Sequence, residues 1–342
     1  MAVAPEVFWR NCESRFCREF LLMRWPLARR SVVPEETQNV LSCSARRGQQ
    51  MMTDTQAATP TLCRLQLGSE LRQIRLKRGL TSTQVVKKLI WSPSKLTRLE
   101  TGENATVEPA DVMALCQIYG VDEETARQLK DYAVVTKTKR EWWQATAFRP
   151  LLNPGNRALF GMESSASVVH TYQSEYVPGL LQTADYARVL HQHANCGRPD
   201  EEIDRMVELR LTRQEILLRK PPLRYAAIVG EGVIRRQVGG PSVMKAQLAH
   251  IIEAASAPNI TVQVVPFEAG VHRCMNGAFS SFRFRDDFAL KPIVHLEHLA
   301  DHWVLRRDAD VELYENAFND LQAMAPGPEE SLKLIKNVME EL

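Results

Sequence analysis

Ser94, Lys95, Thr97 and Arg98 place two hydroxyls and two cations within five positions, a set able to grip and read a polyanion. Hydroxyls and cations donate to phosphate oxygens, and an arginine donates bidentately to the O6 and N7 of guanine. Ser82, Lys87 and Ser92, just upstream, offer the same chemistry to a flanking sugar–phosphate backbone. Between Arg64 and Glu103, nine basic residues (Arg64, Arg72, Arg75, Lys77, Arg78, Lys87, Lys88, Lys95, Arg98) stand against three acidic ones (Glu70, Glu100, Glu103), a local charge of +6. The whole chain carries only +2, so the positive charge is concentrated here, as an electrostatic footprint for nucleic acid requires.

The other chemistry-bearing groups are weaker. His295, His298 and His302, with Glu297 and Asp301, invite a metal reading, because His298 and His302 have the i, i+4 spacing of zinc ligands on a helix. The glutamate of an H-E-x-x-H motif is missing, and His295 to Glu297 reads as strand, so the expectation is no metal and no cofactor. His191 to Cys196 reads as a loop. Tyr172 and Tyr176, with Arg210 and Arg213 on one amphipathic helix, leave two readings open: a pocket for a small anionic effector, or core packing with surface ion pairs. The chain contains no G-x-S-x-G, Walker loop or G-x-G-x-x-G, and the expectation is that it is not an enzyme.

Stepping from these residues to the elements that carry them, Leu67, Leu71, Ile74 and Leu76 recur at helical spacing from Leu65, and Gly79 ends the first helix. Thr81 caps a second helix, Ser82 to Leu89, and Ser92 caps a third, with Pro93 at its first position and Gly102 at its end. Glu108 to Tyr119 and Glu123 to Val135 supply a fourth and a fifth. Val85, Val86, Leu89, Leu96 and Leu99 form a buried seam, which turns Ser94, Lys95, Thr97 and Arg98 outward. The arrangement needed to read DNA is a bracing helix, a short turn, and a helix lying in the major groove, and this spacing provides it.

The predicted fold is multidomain: an N-terminal all-α five-helix helix-turn-helix domain over 61–136, a linker over 137–158, and a C-terminal mixed α+β domain over 159–342. In the second domain, Glu201 to Arg219, Val243 to Ala255, Val311 to Met324 and Pro328 to Glu341 read as helices. Arg224 to Val229, Ile260 to Pro266, Ala278 to Phe284 and Pro292 to Glu297 read as strands. Residues 1–60 lack periodicity and are expected to be a disordered or mis-annotated leader, with translation starting at Met51 or Met52. No apolar run is long enough to cross a bilayer, and seven scattered cysteines without a C-x-x-C pair fit reduced thiols in a cytoplasm.

The stretch Gly79 to Gly102 resembles the XRE group of Cro/cI-type repressor helix-turn-helix domains, through G-L-T at Gly79 to Thr81 and the run Ser92-Pro93-Ser94-Lys95-Leu96-Thr97-Arg98-Leu99-Glu100-Thr101-Gly102. It departs from that pattern at Val86, where the group has alanine, and at Ile90, where it has the turn glycine. The resemblance implies DNA contacts from Ser82, Ser94, Lys95 and Arg98, and a structural role for Glu100, paired with Arg72 or Arg75. Further on, Val177-Pro178-Gly179-Leu180-Leu181-Gln182-Thr183, Arg210 to Glu215, Val238 to Leu248, Val262 to Phe267 and Gly270 to His272 resemble a domain of unknown function found beside such helix-turn-helix domains in mycelial, spore-forming bacteria. That resemblance implies an antitoxin-like transcription regulator controlled by a small partner protein from an adjacent gene. One reading helix contacts only a half-site of double-stranded DNA, so a homodimer formed through the second domain is expected. A small-molecule-sensing repressor is the alternative.

Overall fold

The computed structural model describes residues 59–104, 106–285, 290–298 and 302–342. The leader reading for residues 1–60 therefore lies, but for its last two positions, outside the described residues.

Five helices open the described chain: α1 (Pro60–Lys77), α2 (Ser82–Leu89), α3 (Pro93–Thr101), α4 (Pro109–Tyr119) and α5 (Glu123–Thr138). Each start has a local cause. The Thr81 hydroxyl accepts from Gln84 N while the Gln84 side chain accepts from Thr81 N, a reciprocal capping box. Ser92 and Asp122 cap α3 and α5 in the same manner, each accepting from the third helical residue. Gly102 and Gly120 close α3 and α4 in the left-handed region, where glycine has no steric cost. The first helix begins at Pro60 rather than Leu65, because Thr59 caps it and proline fits its first turn.

Residues 137–158 contain two short 3-10 turns, Trp142–Gln144 and Arg149–Leu151, and the start of α6 (Pro154–Ser165). The Trp142 ring stacks on Phe160 at 5.7 Å and meets Trp143 and Phe148 edge-on. On α1, Thr61 takes two hydrogen bonds to the buried Glu141 carboxylate, and the Thr59 and Ser165 hydroxyls lie 2.5 Å apart. A methyl added at Gly161 would sit 2.4 Å from the Thr61 hydroxyl, so α6 reaches α1 only because residue 161 is glycine.

The remainder builds a six-stranded mixed sheet in the order β3-β2-β1-β4-β5-β6. Its strands are β1 (Val168–Gln173), β2 (Arg224–Gly230), β3 (Ile260–Val265), β4 (Phe279–Arg283), β5 (Ile293–Glu297) and β6 (His302–Leu305). β1, β2 and β3 run parallel; β4, β5 and β6 follow as antiparallel neighbours. The crossovers carry α7 (Ala184–Ala194) and α8 (Asp200–Gln214), then α9 (Glu231–Arg235) and α10 (Pro241–Ala254); α11 (Asp308–Met324) and α12 (Pro328–Glu341) end the chain.

Side chains alternate across the sheet as the pleat requires. Tyr225, Ala227 and Val229 join the large core that takes in α10 and α12 and, by way of α6, the five-helix region, whereas Tyr172, Ile228, Phe279 and Val294 pack under Val311, Phe318 and Leu321 of α11. At the β3 edge, Val264 N donates to Ser331 of α12, which covers the exposed ladder.

This is the expected fold class, a helical N-terminal region followed by a mixed α+β region. Three local readings change. β1 and β6 are additional strands. α7 runs through His191 and His193 to Ala194, so most of the predicted loop is helix, ended by Asn195 bonding back to His191. The helix expected to reach Arg219 stops at Gln214 and tightens into a 3-10 turn, Glu215–Leu218. No helix among the described residues is long and apolar enough to cross a membrane.

Candidate nucleic-acid interface

The interface is built from α2 and α3. Between them Ile90 adopts φ 56°, ψ 41°, the sole non-glycine residue with positive φ among those described, and its side chain is 93% exposed. A β-branched residue is strained in this region, yet the turn closes, with Trp91 N donating to Val86 O at 3.0 Å. Val86 is buried in the core of the helical region. Close approach occurs elsewhere: a methyl on Gly68 of α1 would lie 2.6 Å from the Leu99 carbonyl oxygen and 2.8 Å from that of Glu100. The sequence offered no signal for this glycine, since its contact is with α3, about thirty positions on.

Glu100 is structural, as anticipated, and its partner is Arg75. The guanidinium donates to both carboxylate oxygens and also to Leu80 O at 2.9 Å, which ties α1 to the following turn and to α3. Leu96 and Leu99 complete the inner face of α3.

The predicted contact residues fall into two groups. Ser82 at the start of α2, Lys87 on its last turn, and Ser94, Thr97 and Arg98 on α3 are exposed. The Arg98 side chain makes no hydrogen bond or ion pair with a described residue. Thr97 donates to Pro93 O, and Ser92 and Ser94 share a hydroxyl contact of 3.1 Å beside the Ser92 cap. Lys95 is different. Its ammonium sits 2.8 Å from an Asp111 carboxylate oxygen on α4 and 4.0 Å from the centre of the Trp91 ring, so it is half-buried and already partnered. Of the nine basic residues of this segment, six (Arg72, Lys77, Arg78, Lys87, Lys88, Arg98) are exposed.

A contact from far along the chain completes the site. Arg306, just past β6, donates to the carbonyl of Thr101, the last residue of α3. A cation at a helix C-terminus offsets the partial negative charge of the unpaired carbonyls there.

Among the described residues, which leave out Asp301, the histidines form no metal cluster. His295 and His302 meet across the β5–β6 pair, Nε2 to Nδ1 at 3.3 Å, and the His298 ring lies tilted 59° against that of Trp303. The i, i+4 pair thus spans a strand turn instead of a helix face, and no group of three metal-ligating side chains is found among the described residues.

Comparison with known families agrees with this architecture. Residues 66–129 match a helix-turn-helix domain, which points to DNA binding and transcription regulation. Residues 156–337, more than half of the chain, match the family described as domain of unknown function DUF5753, and the chain belongs to that family. No curated protein and no solved structure matches it.

Proposed function

We propose that this protein is a sequence-specific transcription regulator of the XRE type that lays α3 in the major groove of double-stranded DNA. The observation that carries the reading is the division of α3: its inner face is fixed by Leu96, Leu99 and the Arg75–Glu100 pair, while Ser94, Thr97 and Arg98 face outward. Arg98 reads a base, Ser94 and Thr97 meet base edges or adjacent phosphates, and Ser82, Lys87 and Ser92 hold the flanking backbone. Lys95 contributes positive potential from its place beside Asp111 and Trp91. One such helix covers one half-site, so the working form is a homodimer in the cytoplasm. The C-terminal domain, by its resemblance to antitoxin-like regulators, receives a small partner protein from an adjacent gene. It is a regulatory domain and not an enzyme.

The test uses DNA selected from a random library by the parent protein. Arg98→Ala is expected to weaken binding by about 1–3 kcal/mol, roughly 5- to 150-fold, and to relax preference at one base pair per half-site. Binding as tight and as selective as the parent's sinks the placement of α3. A second reading, a small-molecule-sensing repressor, draws support from two arginines that converge inside the C-terminal domain.

A further inference from the structure

Helix α8 sends Arg210 and Arg213 to one place, the Val177–Thr183 turn that follows β1. A methyl on Gly179 would lie 2.6 Å from Arg210 Nη1 and 3.0 Å from Arg213 Nη1, so both guanidiniums lean on the bare backbone of that glycine. The turn is firmly built. Gln182 Nε2 donates to Val177 O at 2.7 Å, Gln214 Nε2 donates to Gly179 O and Gln182 O, and Gln247 of α10 bonds both Thr183 N and Leu181 O. The V-P-G-L-L-Q-T segment is therefore a rigid floor beneath two cations. Tyr172 and Tyr176 do not complete it: Tyr172 is buried against His272 and Phe279, and Tyr176 is exposed.

The two arginines differ in what balances them. Arg213 gives both its Nε and Nη2 to Glu163 at 2.6 Å, a pair with side chains 10% and 5% exposed. Arg210 has no hydrogen bond or ion pair with any described residue. Glu297 at the end of β5 and Glu163 act on it only through space, and Arg213 opposes them; burial with that repulsion pulls the Arg210 guanidinium down to about 10. Beside it on α7, His191 Nε2 is buried without a hydrogen-bond partner, and burial together with the Arg210 charge holds this imidazole at about 4, hence neutral. Two guanidiniums thus share a corner with one carboxylate in contact, the Arg213 side chain largely buried and Arg210 half-buried. A half-buried cation facing a second cation, with no carboxylate in contact, favours an added anion.

We propose that this corner binds a small oxyanion, the carboxylate or phosphate group of a free metabolite, held by Arg210 and by the Nε2–H of His191 above the Gly179 turn. A planar guanidinium matches either group through paired N–H donors, and the neutral imidazole adds one more. The site deepens the sensor reading, but oxyanion binding is measured without DNA and stands or falls separately.

The experiment is thermal unfolding of the full chain in inorganic phosphate and in acetate, each against sodium chloride of equal ionic strength. Phosphate, acetate or both should raise the parent midpoint with a saturating dependence, and the anion that does so identifies the group bound. Arg210→Gln should lose that response and, in buffer lacking both anions, unfold at a higher temperature than the parent, because the uncompensated charge is gone. His191→Ala should keep the fold and shift the half-saturating concentration upward, whereas Arg98→Ala should respond as the parent does. The proposal is overturned if the parent responds no more than to chloride, if Arg210→Gln keeps the response, or if Arg210→Gln lowers the midpoint without anion. Operator binding with and without the active anion is a separate readout, and unchanged affinity removes the sensor reading while leaving the site.

Discussion

Arg75 and Glu100 meet side-on, with Nε and Nη2 of the arginine 2.6 and 2.8 Å from the two carboxylate oxygens and the side chains 8% and 7% exposed. The hydrogen bonds from Glu100 hold the guanidinium above its ordinary value against the opposing effect of burial. The pair fixes the rotation of α3 about its own axis, because Arg75 is also anchored to Leu80 O.

Glu100→Gln leaves that guanidinium buried with its partner's charge gone, and unfolding by urea should show a loss of about 3–5 kcal/mol. Replacing both members with apolar residues, Arg75→Met with Glu100→Leu, should cost far less, since neither charge is then stranded. A single variant within about 1 kcal/mol of the parent contradicts the assigned role.

Ile90 pays for its left-handed backbone with nothing in return, as its side chain is almost wholly in solvent. Ile90→Gly should therefore stabilise the protein by roughly 1 kcal/mol: relief of the αL strain, about 1–2 kcal/mol, less the added flexibility of glycine in the unfolded chain. The same substitution should leave the outward face of α3 unchanged. A lower denaturation midpoint would show that the isoleucine side chain makes a contact worth more than the strain.

His295, buried on β5, is held down at about 4 by burial first, then by His302 and Arg213. Its folded pKa lies below the unfolded value near 6.5, so the unfolded chain takes up the proton first as pH falls. Its contribution is complete above about pH 6.5 and disappears progressively toward pH 4, a swing of about 3 kcal/mol. Glu70 and Glu141, raised by burial, act in the opposite sense on acidification. The informative quantity is therefore the stability difference between parent and His295→Asn, which should narrow as pH falls through this window; a difference that does not change with pH rejects the assignment.

The helix-turn-helix was legible because its determinants are local. Thr81, Ser92 and Gly102 act on backbone atoms three or four residues away, so residue type and spacing suffice to place them. Lys95 was legible only in part: its neighbours in sequence mark it as outward, but its carboxylate partner, Asp111, comes from the next helix. β1 was hidden by its composition, since His170 and Thr171 look like surface residues. Inside the fold, His170 stacks on Phe318 at 4.5 Å, and Thr171 donates to Phe279 O. β6 is four residues long and gains its place from pairing with β5. The Arg306 bond to Thr101 joins residues 205 positions apart, and no periodicity reports such a contact.

Helix α1 has both flanks occupied, by Leu99 and Glu100 of α3 at Gly68 and by α6 at Thr61. The consequence is mechanical. A reading head joined by a slack tether could swivel to suit half-sites at several separations, whereas this one is braced at Thr59, Thr61 and Thr101. A displacement of the sheet that moves these braces is expected to move α3 with it, and on the proposed DNA-reading role a change of a few degrees in the C-terminal domain would alter where the groove is met.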